Sequence, residues 1–274
     1  MEACQDNAVW NSWYVIGAPP DIRRHNTTST RLLGHRIDLT IHQTWISAEC
    51  DGRPLPVCER LGYVWTTLGK PEGPPQQLIE YYEVDRLVMN IWSVPIKCSG
   101  LRIVENVIDN THFAYVHPGI LGDPNHLGVE LPTTSIDENG ALWIHSSKTW
   151  LPIINDIAEY TYRISDPYSV ILYIHNPGLP RRYNFLGIFA QPIDEDNFIA
   201  HKLLAWVRED WMDYKQLRLD QQWISAQDKF ILERQTPKRQ NIGKTSDVKN
   251  AADVASHAYR QWLRDKNVRY GALL

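Results

Sequence analysis

Asp109-Asn110-Thr111-His112-Phe113-Ala114-Tyr115-Val116-His117 sets one acid and two histidines at the spacing Asp-x2-His-x4-His. A lone acid, Asp228, stands far downstream in Gln227-Asp228-Lys229-Phe230. Two imidazoles and one carboxylate can occupy one face of an Fe(II) ion and leave its other positions open for oxygen and substrate. The same three residues could instead hold zinc, although no H-E-x-x-H base motif accompanies them. An H-x4-H pair alone also fits two ordinary helix histidines. Asp228 alone fits an exposed acid paired with Lys229 or Arg234, because charged residues are mostly exposed. Spacing leaves these readings open.

The elements that must position these residues are two helices. Leu101 to Val116 reads as a helix, with Pro118-Gly119 as its stop. On it Asp109 and His112 share a face. His112 and His117 are separated by roughly 140° of rotation, so both reach one metal only if the helix ends or distorts near Pro118. Glu209 to Arg234 is the longest helical pattern, with Tyr214, Leu217, Gln221, Ile224, Asp228 and Ile231 at spacings of three and four. An acid on such a stripe is costly to bury unless it is paired, hydrogen-bonded or metal-bound. Gln221, two turns before Asp228, and its neighbour Gln222 are candidate ligand contacts; amides facing solvent or a helix contact are the alternative.

Around these helices the chain reads as short strands. Residues 13–17, 31–47 and 61–68 are rich in Val, Ile, Trp and Tyr, and Lys70-Pro71-Glu72-Gly73-Pro74-Pro75 is the clearest linker. A boundary there separates a β-rich region, 1–70, from a larger domain, 71–274. Residues 78–94 read as extended. Further strands are expected near 127–131, 141–150, 158–164, 168–176, 183–193 and 197–207, divided by turns such as Glu138-Asn139-Gly140. A last helix is expected over 248–266. The expected fold class is α+β: a curved antiparallel sheet gripped by one long helix (a helix-grip, START-like domain), with room for a ligand between them.

The 274 residues suffice for a sizeable core. A net charge of −4 gives no basic patch to expect for nucleic acid. Residues Met1 to Asp6 are polar and lack the apolar core of a signal peptide, and no run is long and apolar enough to span a membrane. Cys4, Cys50, Cys58 and Cys98 fall at irregular spacings and read as free thiols, so the expected compartment is the cytoplasm.

Asn106-x2-Asp109-x2-His112-x4-His117, with Glu105 just before it, resembles the iron motif of the catalytic α-subunits of Rieske-type non-haem iron oxygenases. The similarity is to the vanillate and dicamba O-demethylase group and the methylxanthine N-demethylases. Trp13-Tyr14-Val15-Ile16-Gly17 also looks like the first strand of their Rieske domain. The resemblance implies that His112, His117 and Asp228 ligate Fe(II). It further implies that Asp109 bridges a ligand histidine to the electron donor and that Asn106 lies near the iron.

A Rieske [2Fe–2S] centre needs two Cys and two His, and none of the four cysteines has the family's Cys-x-His or Cys-x2-His spacing. The region 1–70 therefore reads as a degenerate Rieske-like remnant. In the family this deletion implies electrons from a separate reductase that carries NAD(P)H, flavin and [2Fe–2S] sites. It also implies a glutathione-transferase-like structural subunit, a trimeric core, and oxidative N-demethylation at N7 of 7-methylxanthine with release of formaldehyde. A subunit that keeps the fold without the chemistry is the alternative.

Overall fold

The computed structural model describes residues 6–127, 129–175, 182–209, 212–243 and 251–274. Cys4, and residues 128, 176, 210–211 and 248–250 within four of the expected elements, lie outside these.

The chain opens with α1 (Asn7–Trp10), β1 (Tyr14–Gly17) and α2 (Pro19–Arg24). It continues through β2 (Ser29–Leu32), β3 (His35–Ile41), β4 (Ile46–Cys50), β5 (Arg53–Pro54), β6 (Val57–Arg60) and β7 (Tyr63–Thr66). The single strand expected over 31–47 is in fact three. Leu33 and Gly34 both take positive φ, 51° and 82°, as a two-residue hairpin turn requires, and a second turn separates Ile41 from Ile46. These strands form a four-stranded sheet, β2-β3-β4-β5, and a three-stranded one, β1-β7-β6.

The next long strand, β8 (Arg86–Ile96), leads into α3 (Gly100–Ile108) and the one-turn α4 (Phe113–Val116). Then come β9 (Val129–Glu130), β10 (Thr133–Ile136), β11 (Leu142–Leu151), β12 (Asp156–Asp166), β13 (Ser169–His175), β14 (Tyr183–Pro192) and β15 (Phe198–Val207). The long helix α5 (Tyr214–Leu232) follows. A parallel pair, β16 (Gln240–Asn241) and β17 (Ala272–Leu273), brackets α6 (Val254–Asp265).

The large sheet runs β10-β11-β12-β13-β14-β15-β8, with β9 added beside β11, and every pairing in it is antiparallel. The mixed helix-and-strand content and the long helix agree with the sequence. The curved, helix-gripping sheet does not and needs correction. Strand order is linear and the terminal strands β10 and β8 do not pair, so the sheet stays open. Its β10 edge is only four residues, Thr133 to Ile136, with all four side chains exposed, a short edge that offers little to pair with.

Alternation along the strands sorts the two faces. Ala200, Lys202 and Trp206 of β15 point to one side with Leu186 and Ile188 of β14. Leu203 and Ala205 point to the other, against Tyr63 and Trp65. A second apolar cluster runs without a break from Val9 and Ile37 to Phe198 and Leu263. The N-terminal strands thus share a core with the remainder.

Candidate metal centre

The segment carrying both histidines folds as it does because α3 stops earlier than its apolar pattern suggests. Ser99 caps the helix start, its Oγ accepting from Leu101 N at 3.2 Å. Leu101, Ile103, Val104 and Ile108 bury its inner face. Asp109 then leaves the helix with φ −91° and ψ 106°. Its Oδ1 accepts from Thr111 N at 2.8 Å and from Thr111 Oγ1, a local turn that competes with helix. Asn110 is buried and ties the break to the sheet: its Nδ2 donates to Ser147 Oγ at 2.9 Å and its Oδ1 accepts from Tyr162 OH. The break therefore precedes both histidines, instead of lying near Pro118. His112 stands at the start of α4 and His117 at its end.

Two further contacts hold this turn. Gly122 lies so close that a Cβ there would come within 2.4 Å of Ala114 N, so the loop packs directly on the α4 backbone. Glu105 pairs with Arg260 of α6, and both side chains are largely buried.

From the opposite wall, α5 presents Asp228. Asp213 caps this helix, accepting from Lys215 N and Gln216 N. Gln221 and Ile224 are buried on its inner stripe, whereas Ile231 is exposed. Asp228 Oδ1 lies 3.0 Å from His117 Nε2 and 3.5 Å from His112 Nε2. Neither alternative partner takes it: Lys229 pairs with Glu233, and Arg234 sits over the Phe230 ring. The other ring nitrogens are held away from this point. His112 Nδ1 is 3.4 Å from Asp109 Oδ2, and His117 Nδ1 is 2.8 Å from Gln227 Oε1. Asn106 Nδ2 approaches His112 Nε2 at 3.3 Å, and its Oδ1 is buried without a partner among the described residues.

His112, His117 and Asp228 offer three ligand atoms within 4.8 Å of one another. The donors fit one divalent ion: each imidazole turns one nitrogen inward and has the other oriented by a neighbour. The local field suits a cation. Burial opposes charge on His112, but hydrogen bonds to Asp109 and Asp228 raise it to about 9. Burial also opposes the Asp228 carboxylate, yet both imidazoles hold it well below the usual carboxylate range. At Asp109 burial is again outweighed, by hydrogen bonds from His112 and Thr111.

Two cavities meet at His112 and Asn106. One, of about 630 Å³, spreads between α5 and the sheet, lined mainly by apolar side chains such as Phe113, Leu172 and Ile188. The other, of about 310 Å³, lies on the Asp109 side and is polar, with Arg102, Glu105, His257 and Arg260 around it. Gln221 lines the large cavity. Gln222 does not; its Nε2 donates to Ile91 O at 3.2 Å. Gln227, Asn110 and Lys202 were not singled out from the sequence, since no spacing marks an amide or a lysine that meets a histidine or a cavity only in space.

Among the described residues, Cys50, Cys58 and Cys98 are free thiols. Cys50 meets His35 and Asp51 within 4.8 Å, but one thiol and one imidazole fall short of the two of each that a [2Fe–2S] centre needs. Among the described residues, no helix is long and apolar enough to cross a membrane.

The vanillate O-demethylase oxygenase C-terminal domain family matches residues 96–150, which contain α3, α4 and both histidines. The probable methylxanthine N7-demethylase NdmC of Pseudomonas sp. (strain TJI-51) is 32% identical over 277 residues, 97% of this chain and 98% of that protein. The methylxanthine N1-demethylase NdmA of Pseudomonas putida is 28% identical over 165 residues, 59% of this chain and 45% of that one. The structure of Pseudomonas putida CBB5 NdmA with caffeine shares the fold, with a TM-score of 0.78 at 19% identity over 95% of this chain and 92% of that one. The chain belongs to the methylxanthine N-demethylase group of Rieske-type non-haem iron oxygenases, with a mononuclear metal site and no [2Fe–2S] cluster motif.

Proposed function

We propose that this chain is the catalytic subunit of an Fe(II)-dependent oxidative N-demethylase acting on 7-methylxanthine at N7. The observation that carries the reading is the inward-facing pair of imidazole nitrogens with Asp228 at one end of a large apolar cavity, in a chain similar over its length to a probable N7-demethylase. His112, His117 and Asp228 are the ligands. Fe(II) held there would supply oxygen activation, with two electrons and two protons from outside balancing entry of one oxygen atom into an N-methyl C–H bond and departure of the other as water. The hydroxymethyl product then collapses to formaldehyde and the free N–H.

The residues of the chain bind and orient. Phe113, Leu172, Ile188 and their neighbours exclude water and hold a planar ring so that one methyl group faces the ligand triad. Gln221 reads the ring edge through its amide, while Gln222, outside the cavity, supports α5 against β8. Asn106 borders the site beside His112.

On the same reading residues 1–70 are a Rieske-like remnant and 71–274 the catalytic domain. The electrons come from a reductase carrying NAD(P)H, flavin and a Rieske centre, docked over the polar cavity where Asp109 faces out behind His112. A trimeric core, a glutathione-transferase-like partner and a cytoplasmic location complete the proposal.

The test is anaerobic loading with Fe(II), then oxygen and 7-methylxanthine with and without a Rieske-containing reductase. One formaldehyde per xanthine, only with the reductase, is expected. Iron-free protein after loading, or iron-loaded protein that releases no formaldehyde with the reductase present, would overturn the reading.

A further inference from the structure

Within the apolar cavity one side chain is out of character. Lys202, on β15, is only 6% exposed and lines the cavity among Ala200, Trp206 and Ile188. Lysine is almost never fully buried unless paired, and an unpaired buried ammonium is costly. Among the described residues its Nζ makes two hydrogen bonds, to Gln221 O at 3.2 Å and to Ser225 Oγ at 3.0 Å, and no ion pair. An ammonium has three donors, so one remains.

The neighbouring strand bends beside this position: the β15–β8 register slips between Lys202 and Leu203, with Trp92 opposite the first and Asn90 opposite the second, so the extra residue, Ile91, lies in β8.

Beside Lys202, Gln221 is 8% exposed and its Oε1 has no partner among the described residues. The other buried amide here, Asn184, has its oxygen engaged by Val207 N at 2.9 Å. Lys202 therefore keeps a spare donor and Gln221 an unpartnered acceptor, on two residues in contact that both line one wall of the apolar cavity. That pair matches a ring edge with a carbonyl beside an N–H.

The distance fits as well. Gln221 and Asp228 lie seven residues apart on one helix, about 10 Å along its axis and on nearly the same face. A bicyclic planar ring spans that interval with one end at His112, His117 and Asp228.

We infer that Lys202 is a specificity-determining residue, its Nζ donating to a ring carbonyl of the substrate at the end of the cavity remote from the metal site, next to an N–H received by Gln221. This rests on the proposed N7-demethylation. With the N7 methyl at the triad, the far edge of xanthine carries the C2 carbonyl and the N3–H, which are the groups this patch complements.

The test compares 7-methylxanthine with 7-methylhypoxanthine, which lacks both the C2 carbonyl and the N3–H, by anaerobic calorimetric titration of the Fe(II)-loaded chain and of Lys202→Met, the variant isolating the carbonyl contact. The parent is expected to bind the xanthine at least about tenfold more tightly than the hypoxanthine, in line with a hydrogen bond from a charged donor. Lys202→Met should lose about tenfold or more for the xanthine and about twofold or less for the hypoxanthine, with iron content unchanged. Equal binding of both purines by the parent overturns the inference even if the variant does not fold. Parent-like xanthine binding by Lys202→Met overturns it while leaving N7-demethylation intact. A parent that binds neither purine overturns the proposed function and this inference with it.

Discussion

His117 Nε2 and Asp228 Oδ1 stand 3.0 Å apart although 111 residues separate them along the chain. The other ring nitrogen of His117 faces Gln227 Oε1 at 2.8 Å. An amide oxygen only accepts, so His117 donates to it through Nδ1 and the ring is turned with Nε2 toward Asp228. On the proposed ligand set, Gln227 thus orients the imidazole whose Nε2 would meet the metal.

Gln227→Leu should accordingly weaken Fe(II) retention without removing a ligand. Loss of a partner that orients a ligand typically costs about 10–100-fold in metal affinity. Anaerobic competition with a coloured chelator measures this. Parent-like affinity would mean that the imidazole is held by the fold alone.

Asp109 faces the polar cavity while its Oδ2 reaches His112 Nδ1 at 3.4 Å. Asp109→Asn keeps the size of the side chain but removes the charge. Iron content should stay near that of the parent, because all three proposed ligands remain. Formaldehyde release driven by the reductase should fall by about tenfold or more, the scale seen when a partner of a metal-bound histidine is lost. Turnover equal to the parent would sink the bridging role.

Asn110 fixes the break that lets His112 and His117 face one point. Its amide bonds both Ser147 and Tyr162, so Asn110→Ala strands two buried hydroxyl groups. Each unsatisfied buried group costs about 1–3 kcal/mol of stability. Urea unfolding of the metal-free protein should show that loss, and iron occupancy should drop with it. Unchanged stability would assign the break to the Asp109–Thr111 turn instead.

The legible parts of this molecule were those written in local pattern. The Asp-x2-His-x4-His spacing and the stripe that carries Asp228 left several readings open, the resemblance of the surrounding motif joined them into one site, and the three side chains do converge. The long helix and most strands followed from periodicity and turn residues, because these signals act over a few neighbouring positions. What depended on distant partners was hidden. The early end of α3 is set by Asn110 reaching two strands of the sheet, and the 31–47 segment broke at Leu33, a residue with no turn signature. The expected curvature of the sheet was overturned because strand alternation fixes which face is buried but does not say how the strands as a set bend.

Lys202 supplies a pH test that needs neither iron nor substrate. Burial lowers its ammonium to about 8 from an ordinary value of 10.5, with the Asp228 charge acting in the opposite direction. Below pH 8 the lysine is charged in both folded and unfolded chains, and the folded state bears the cost of burying that charge. Between pH 8 and 10.5 the folded chain releases the proton while the unfolded chain keeps it, so this group makes stability rise with pH. The shift corresponds to something on the order of 3 kcal/mol. Tyrosines and cysteines titrate in the same range, so the measured quantity is the difference between parent and Lys202→Met, both metal-free, in urea unfolding at pH 7.5, 8.5 and 9.5. The parent should gain on the variant at each step upward. A constant difference across the series would show that the Lys202 ammonium is hydrated in the folded protein, and its third donor would then be occupied by water before any ligand arrives.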